Sequence, residues 1–369
     1  MRLRNTKKVL VPIGLAAVVL ALAGISFVAI VVSKPEPNLG CVGVVSASEL
    51  ADSSGKVDSV LALSSSRSRI YVTTASRRLY VGEDVRGKLR WHIRKSLVPG
   101  QLYSSFGSRR NGLYAAEQAL YRSDDNGQSW RRLSCGLILT GVAFTPDAST
   151  FYISATNGEG KALHAGGLYW TSDDGRTWAR SSHFPENSDA AVNVVAADPR
   201  DAKKIYIGTE AGGLLRSDDG GRHWFFMAMA SAPAGIEGPQ LSSLVFGPGP
   251  SFTLWAGTRE QGIFRRDGDG QRWLASGLPG EVVEQVLPDR REANIVYALS
   301  QGQDRACNNC AFRTIDGGRH WLRIKGLPKD ISGLSIGSFD SAVYAWAGRV
   351  VFRSRDHGAT WTKLPPLPR

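Results

Sequence analysis

The chain has 369 residues and a formal net charge of +12, because 45 Lys and Arg residues outnumber 33 Asp and Glu residues. A basic protein of this kind suits an acidic protein surface or anionic lipid as its partner. The basic residues are not interleaved with aromatic ones in any nucleic-acid-binding motif, and the sequence has no phosphate-binding loop and no zinc-spaced His pair. Nucleic acid, a cofactor and a metal ion are therefore not expected as ligands.

The first 32 residues have the pattern of a membrane anchor. Residues 1–8 carry four positive charges, and the 24 residues from 9 to 32 contain no charged side chain. A run of this length spans a bilayer as a helix, and its basic flank is expected in the cytoplasm. We therefore predict a cytoplasmic segment at 1–8, a transmembrane helix at 9–32 and an extracytoplasmic remainder. A cleaved signal peptide is the alternative, although its apolar region would normally be shorter.

A linker separates the predicted helix from the rest of the chain. Pro35 and Pro37 lie near its start, and Ser53, Ser54 and Gly55 lie near its end. We predict a linker over residues 33–56 and one globular domain over residues 57–365, with no second globular domain.

A short motif recurs through the predicted domain. It consists of Ser or Thr, any residue, Asp, any residue, Gly, two further residues and Trp, and five copies are intact. Two further copies are degraded, since Gly268 replaces the Asp before Trp273 and only Gly82-Glu83-Asp84 precedes Trp91. The seven Trp residues that end these copies recur every 39–49 residues, which is typical of a repeat architecture.

The motif has the chemistry of a tight turn between two strands. Asp accepts hydrogen bonds from nearby backbone N–H groups, Gly supplies positive φ, and Trp buries a large ring. Around the copy that ends at Trp224, β-rich runs occur at Val192–Ala196, Ile205–Ile207, Gly213–Arg216 and His223–Phe226. Four short strands per period of about 45 residues indicate one blade of a propeller. The predicted fold is all-β, a seven-bladed β-propeller of four-stranded antiparallel blades behind one N-terminal transmembrane helix.

The repeated motif resembles the Asp-box (BNR) repeats of sialidase-like β-propellers over roughly residues 57–365. The amino-acid sequence of segment 205–221 most resembles that of the photosystem II stability and assembly factor group. That resemblance implies a non-catalytic seven-bladed scaffold that holds membrane-protein partners outside the cytoplasm or stroma. The motif residues are interpreted as structural, and they are Asp125, Gly127, Trp130, Asp173, Gly175, Trp178, Asp219, Gly221, Trp224, Asp316, Gly318, Trp321, Asp356, Gly358 and Trp361.

The four cysteines are Cys41, Cys135, Cys307 and Cys310. Oxidation is the default in an exported domain, so we predict structural disulfides, with Cys307 able to close on Cys310 and Cys41 on Cys135. A redox role or half of a metal site for the Cys307–Cys310 pair stays open as an alternative.

Basic residues from separate blades are expected on one face of the propeller. The loops between the first and second strands of each blade lie on the same face as the motif turns, whereas the long loops, such as 156–167 and 301–311, lie on the opposite face. Loops on a rigid scaffold carry function, so the long-loop face is a competing candidate. The partner-binding residues assigned to the basic face are Arg109, Arg110, Arg200, Lys203, Lys204, Arg290 and Arg291.

No catalytic residue is assigned. The arginine triad and the Phe-Arg-Ile-Pro-like stretch of sialidases are not evident, and only Asp189 and Glu284 suggest a carboxylate pair of the kind that propeller glycosidases need. The favoured interpretation is a single-pass membrane protein whose extracytoplasmic propeller is a non-catalytic binding or assembly scaffold for a membrane protein or complex. The alternative is an extracytoplasmic glycoside hydrolase of the sialidase-like or xyloglucan-active type.

Overall fold

The computed structural model describes residues 55–368, apart from residues 65–67, 86–87, 98–100, 106–111, 118, 135–136, 147–149, 157–165, 182–190, 211, 228–237, 249–252, 269–271, 302–308 and 339–340. The predicted segments 1–8 and 9–32 and nearly all of the linker 33–56 lie outside the described residues, so these assignments stay predictions. Within the described part of the chain, no helix is long and apolar enough to cross a membrane.

Seven antiparallel sheets of four strands follow one another in chain order, which confirms the predicted seven-bladed propeller. Blades 1 to 3 consist of β1 (Val57–Ser64), β2 (Ser68–Thr74), β3 (Arg78–Val85), β4 (Lys88–Leu97), β5 (Gln101–Ser105), β6 (Gly112–Ala116), β7 (Leu120–Ser123), β8 (Arg131–Arg132), β9 (Ile138–Phe144), β10 (Phe151–Thr156), β11 (Gly167–Thr171) and β12 (Ala179–Arg180). Blades 4 to 7 consist of β13 (Val192–Ala197), β14 (Ile205–Thr209), β15 (Leu214–Ser217), β16 (Phe225–Met227), β17 (Leu241–Phe246), β18 (Thr253–Thr258), β19 (Ile263–Asp267), β20 (Leu274–Gly277), β21 (Val282–Pro288), β22 (Val296–Gln301), β23 (Cys310–Thr314), β24 (Leu322–Arg323), β25 (Gly333–Ile336), β26 (Val343–Ala347), β27 (Val350–Ser354) and β28 (Thr362–Lys363).

The hydrophobic core lies between neighbouring blades. Every residue of the second strands β6 and β14 is buried, because each of these sheets is covered on both faces. Between blades 4 and 5, for example, Tyr206 and Leu214 pack in one cluster with Leu254, Phe264 and Trp273. Each fully buried Leu or Phe contributes about 1.5–3 kcal/mol through removal of apolar surface from water. Packing between blades therefore holds the ring together.

Blades 1 and 7 close the ring without exchanging a strand. Val60 and Tyr80 of blade 1 share a buried cluster with Tyr344 and Trp346 of blade 7. The indole N–H of Trp91 donates a 2.9 Å hydrogen bond to the carbonyl of Pro365, which follows β28. The first and last blades are thus joined by side-chain packing and by this hydrogen bond.

The motif in blade 1 was interpreted as a degraded turn, and this interpretation is wrong. Glu83 pairs with Arg90 and Asp84 with Leu89, so Gly82-Glu83-Asp84 belongs to β3. Trp91 lies inside β4, and the pairing of β3 with β4 extends to Val85 and Lys88. Blade 1 therefore has a longer third-to-fourth hairpin than the motif would give.

Candidate partner-binding face and central cavity

The 1–2 loops, which join the first and second strands of each blade, lie beside the motif turns. In blade 4, the amide of Gly220 in the motif turn donates a 2.9 Å hydrogen bond to the carbonyl of Lys203 in the 1–2 loop. In blade 6, the amide of Gly317 donates in the same way to Asn294, also at 2.9 Å. We call this end of the propeller the turn face.

The opposite end carries the 2–3 loops and the blade-to-blade connectors. The amide of Gly213, next to the 2–3 loop of blade 4, donates to Pro239 in the connector to blade 5 at 3.3 Å. In blade 5, Gly262 donates to Glu281 in the following connector at 3.2 Å. We call this end the connector face.

The motif turn of blade 4 is organised by one carboxylate. Oδ1 of Asp219 accepts hydrogen bonds from the backbone amides of Arg222 and His223, both at 3.0 Å, and from the hydroxyl of Ser217 at 2.9 Å. The Ser217 hydroxyl oxygen in turn accepts from the amide of Gly221 at 2.8 Å, and Gly221 has φ +89°. The Asp, the hydroxyl and the Gly thus fix one another within the turn.

The four other intact copies share the hydrogen bonds that link the hydroxyl, the Asp and the Gly, and in each the pKa of the Asp is lowered. Hydrogen bonds from Ser129 and Ser123 lower the pKa of Asp125 to about 2. Burial raises the pKa of Asp219, but hydrogen bonds from His223, Ser217 and Arg222 outweigh it and bring the pKa to about 2. A carboxylate held in this way is poorly suited to donate a proton as a general acid.

A cavity of about 940 Å³ runs along the axis of the propeller and is lined by the first strands of all seven blades. Its walls combine apolar side chains, such as Leu61, Val142, Phe144 and Phe246, with polar groups in nearly equal share. In blades 4 to 7 the lining continues past the strand ends into the 1–2 loops, so the cavity reaches the turn face. This volume is within the usual range of ligand-binding sites, about 300–1,000 Å³.

Two arginines line the part of the cavity that reaches the turn face. Arg200 is 44% exposed, and its guanidinium lies 3.3 Å from the buried carboxylate of Asp198. Arg290 is exposed, yet burial among the surrounding walls lowers its pKa, an effect that nearby Asp289 partly offsets. The exposure of Arg290 and the lowering of its pKa agree if its guanidinium contacts water in the cavity on one side and protein surrounds it on the others. A cation in such a position favours an anionic ligand.

Two buried aspartates position the loops that carry these arginines. Asp198 and Asp289 both have no exposed surface. Oδ1 of Asp198 accepts from the amide of Arg200 at 2.8 Å. Oδ1 of Asp289 accepts from the amide of Arg291 and from the hydroxyl of Ser341, both at 2.9 Å. Neither aspartate was identified from the sequence, although each directly follows an apolar first strand.

The predicted partner-binding residues are only partly brought together. Arg200 and Arg290 line the same cavity, whereas Lys203, Lys204 and Arg291 lie on the same two loops but not in the cavity lining. Arg109 and Arg110 lie outside the described residues. The same loops also carry Asp201 and Glu292, so the positive charge is less uniform than the basic residues alone suggest.

The predicted carboxylate pair is not seen as a pair. Asp189 lies outside the described residues, and Glu284 accepts a 2.5 Å hydrogen bond from the side-chain amide of Gln301. Among the described residues that line the cavity, the single carboxylate is Asp289, which holds its own loop. In the described part of the chain, no group of three or more His, Cys, Asp or Glu residues is placed to hold a metal ion.

Cys310 is buried at the start of β23 and is bonded in a disulfide. Cys41, Cys135 and Cys307 all lie outside the described residues. The pairing of Cys307 with Cys310 and of Cys41 with Cys135 therefore stays a prediction.

Comparison with known proteins identifies the fold but not a family. No protein-family model matches the chain. A xyloglucanase from a Paenibacillus species is 22% identical over 298 residues, which are 72% of this chain and 25% of that protein. The chain therefore spans about a quarter of the length of this relative.

Two groups of solved structures are similar in fold. The GH74 xyloglucanase from Xanthomonas campestris superposes with a TM-score of 0.61 at 18% identity, over 83% of this chain and 52% of that one. YCF48 from Cyanidioschyzon merolae has a TM-score of 0.53 at 13% identity, over 72% of this chain and 85% of that one. A structure of YCF48 bound to a D1 peptide has a TM-score of 0.50 at 17% identity, over 71% and 80%. At these identities the similarity shows the propeller fold alone, and one fold serves unrelated functions.

Proposed function

We propose that this chain is a membrane-anchored extracytoplasmic propeller that binds an acidic segment of a membrane protein or complex and acts as a non-catalytic scaffold. The observation that carries the proposal is the pair Arg200 and Arg290 in the axial cavity, which reaches the turn face. The basic loop residues Lys203, Lys204 and Arg291 around them would add longer-range attraction for an acidic partner.

The chemistry of the cavity supports a peptide ligand. The apolar side chains of its walls accept those of an inserted segment, while the two guanidinium groups recognise a carboxylate within it or at its end. The loops are held by buried aspartates, so little conformational entropy is lost when the ligand binds. A YCF48 propeller of similar fold is known with a D1 peptide bound, which makes a peptide ligand reasonable for this chain.

The proposal is tested by charge reversal in the full-length chain in detergent. The double variant Arg200→Glu/Arg290→Glu should reduce recovery of the membrane partner from solubilised membranes and weaken its binding at least tenfold, since charged pairs within an interface are typically worth 2 kcal/mol or more. The matched control is Arg222→Glu/Arg319→Glu, which makes the same charge change on exposed motif turns of the turn face. Equal binding by both double variants would contradict the cavity as the binding site.

A glycoside hydrolase is the second candidate, because the Paenibacillus relative is a xyloglucanase. In this alternative Glu284 would be one of the two required carboxylates. Incubation of the purified chain with xyloglucan, followed by analysis of released oligosaccharides, distinguishes the two. Hydrolysis that is lost in Glu284→Gln would replace the scaffold proposal, whereas no release from any β-glucan agrees with it.

A further inference from the structure

The outermost strand of blade 1 differs from those of the other blades. β4 has ten residues, whereas the outermost strands of the six other blades have two to four. It forms one end of its sheet and pairs with β3 on one side. On its other side no strand pairs with it in the described part of the chain. Such an edge presents a row of main-chain donors and acceptors to another strand.

The side chains of β4 alternate between apolar and basic. Leu89 and Trp91 point to one side and are partly buried against the cluster that joins blades 1 and 7. Lys88, Arg90 and His92 occupy the alternate positions, and all three are exposed. Successive side chains on one face of a strand are about 7 Å apart. The edge therefore carries a regular row of basic groups beside main-chain groups that pair with no strand in the described part of the chain.

The neighbouring strand β3 places one carboxylate opposite this row. Glu83 stands opposite Arg90, but its carboxylate already accepts a 2.8 Å hydrogen bond from Arg69 of β2. Val85 and Val81 stand opposite Lys88 and His92. Three basic side chains of β4 thus face one acidic residue across the sheet, so the row carries an excess of basic groups.

From this geometry we propose that β4 binds an extended acidic segment of another protein, which adds as a fifth strand to blade 1. The main chain of the segment bonds to the free edge of β4, and its alternate Asp or Glu side chains lie opposite Lys88, Arg90 and His92. Opposite-charge pairs across neighbouring strands stabilise such pairing, and strand addition to an exposed edge is a common mode of peptide binding. This site is on the outer edge of the propeller, so it is independent of the cavity and of the partner proposed there.

Basic residues on an edge also discourage association with a second copy of the same edge. The shortness of the six other outer strands already limits such association, whereas β4 combines full length with alternate charges. If the basic residues served only to repel a second copy, no acidic peptide would bind, so the two explanations predict different results.

The probe is a synthetic nine-residue peptide in which Glu alternates with Val or Thr, added to the full-length chain in detergent. The expected results are saturable binding and slower amide hydrogen exchange across residues 88–97. A peptide of the same composition with its Glu residues in one block should bind at least tenfold more weakly. N-methylation of the amides on the pairing edge should abolish binding, while N-methylation on the other edge should leave it intact.

Protein variants test the charge row. Lys88→Glu/His92→Glu should weaken binding of the alternating peptide roughly tenfold, because it introduces repulsion at two positions. Arg90 is left unchanged, since a Glu there would face Glu83 within the sheet. The control Arg272→Glu, with a second exposed reversal at Arg323→Glu, alters charge on blades 5 and 6 and should leave binding unchanged. Binding that ignores N-methylation and residue order, or no binding at all, would overturn the proposal.

Discussion

Removal of one motif carboxylate, that of Asp219 in blade 4, should destabilise the propeller by the loss of the hydrogen bonds that it accepts. Asp219→Ala removes the acceptor of two backbone amides, one hydroxyl and the ring of His223. Hydrogen bonds in proteins contribute about 0.5–1.5 kcal/mol net each, with less where water can replace the acceptor. Since this turn is at the surface, a total loss of about 1–3 kcal/mol is expected.

The pKa of Asp219 gives a second route to the magnitude. A pKa of about 2 in the folded protein, against an ordinary value of 3.8, corresponds to about 2–3 kcal/mol of stabilisation of the charged form. The side chain is 37% exposed, so solvent screening reduces this contribution to about 1–2 kcal/mol. The hydrogen bonds and the lowered pKa therefore agree on a loss of about 1–2 kcal/mol.

Urea unfolding of the full-length chain in detergent measures the loss as a lower midpoint at unchanged slope. Asp218→Ala is the matched control, because Asp218 is the adjacent residue of the same turn, is 44% exposed and forms an ion pair with Arg216 at 2.7 Å. Such exposed pairs contribute about 1 kcal/mol or less. Asp219→Asn keeps one oxygen acceptor and should lie between the two. A loss for Asp219→Ala no greater than for Asp218→Ala would refute the assignment of the motif Asp as the organiser of the turn.

Three further predictions concern the hydrogen bonds between blades, acid stability and topology. Trp178→Phe removes an indole hydrogen bond to blade 2, whereas the indole N–H of Trp273 has no hydrogen-bond partner among the described residues. Both rings are 2% exposed. In thermal or urea unfolding, Trp178→Phe should therefore cost about 1 kcal/mol more than Trp273→Phe. The lowered pKa of the motif carboxylates places their stabilisation above about pH 4 and removes it as the pH falls towards 2, so the free energy of unfolding should decline over that range and less steeply in Asp219→Asn. Protease added outside intact cells or spheroplasts should digest the propeller and leave residues 1–8 protected, and a mature N-terminus after residue 32 would instead indicate a cleaved signal peptide.

Local signals were sufficient to predict most of the blades. In blade 4, the predicted runs Val192–Ala196 and Ile205–Ile207 correspond to β13 and β14 with ends that differ by no more than two residues. Strand alternation, Gly and Asp turns and the Trp period all act within a few residues, so they can be read from sequence. The number of blades followed from the same period.

The organisation of the cavity could not be predicted in the same way. Arg200 and Arg290 are 90 residues apart in the sequence, and their approach to one cavity depends on closure of the whole ring. Asp198 and Asp289 look like ordinary loop residues in the sequence, and only burial distinguishes them from Asp201. In blade 1 the local signal was misleading, since Gly82-Glu83-Asp84 resembles a turn in sequence but is paired along its length with β4.

The Trp of the repeat stabilises contacts between neighbouring blades more than it stabilises its own turn. In blades 3, 4 and 6 its indole N–H donates to a residue in or just after the outermost strand of the preceding blade, at Leu133, Ser181 and Ser276. Trp91 does the same from blade 1 to blade 7, although its turn lacks the motif geometry. Blade 5 also lacks the motif Asp, and there Trp273 is still 2% exposed against the core shared with blade 4. Because a turn can be replaced locally but a gap between blades would open the ring, the Trp period persists in this chain where the Asp does not.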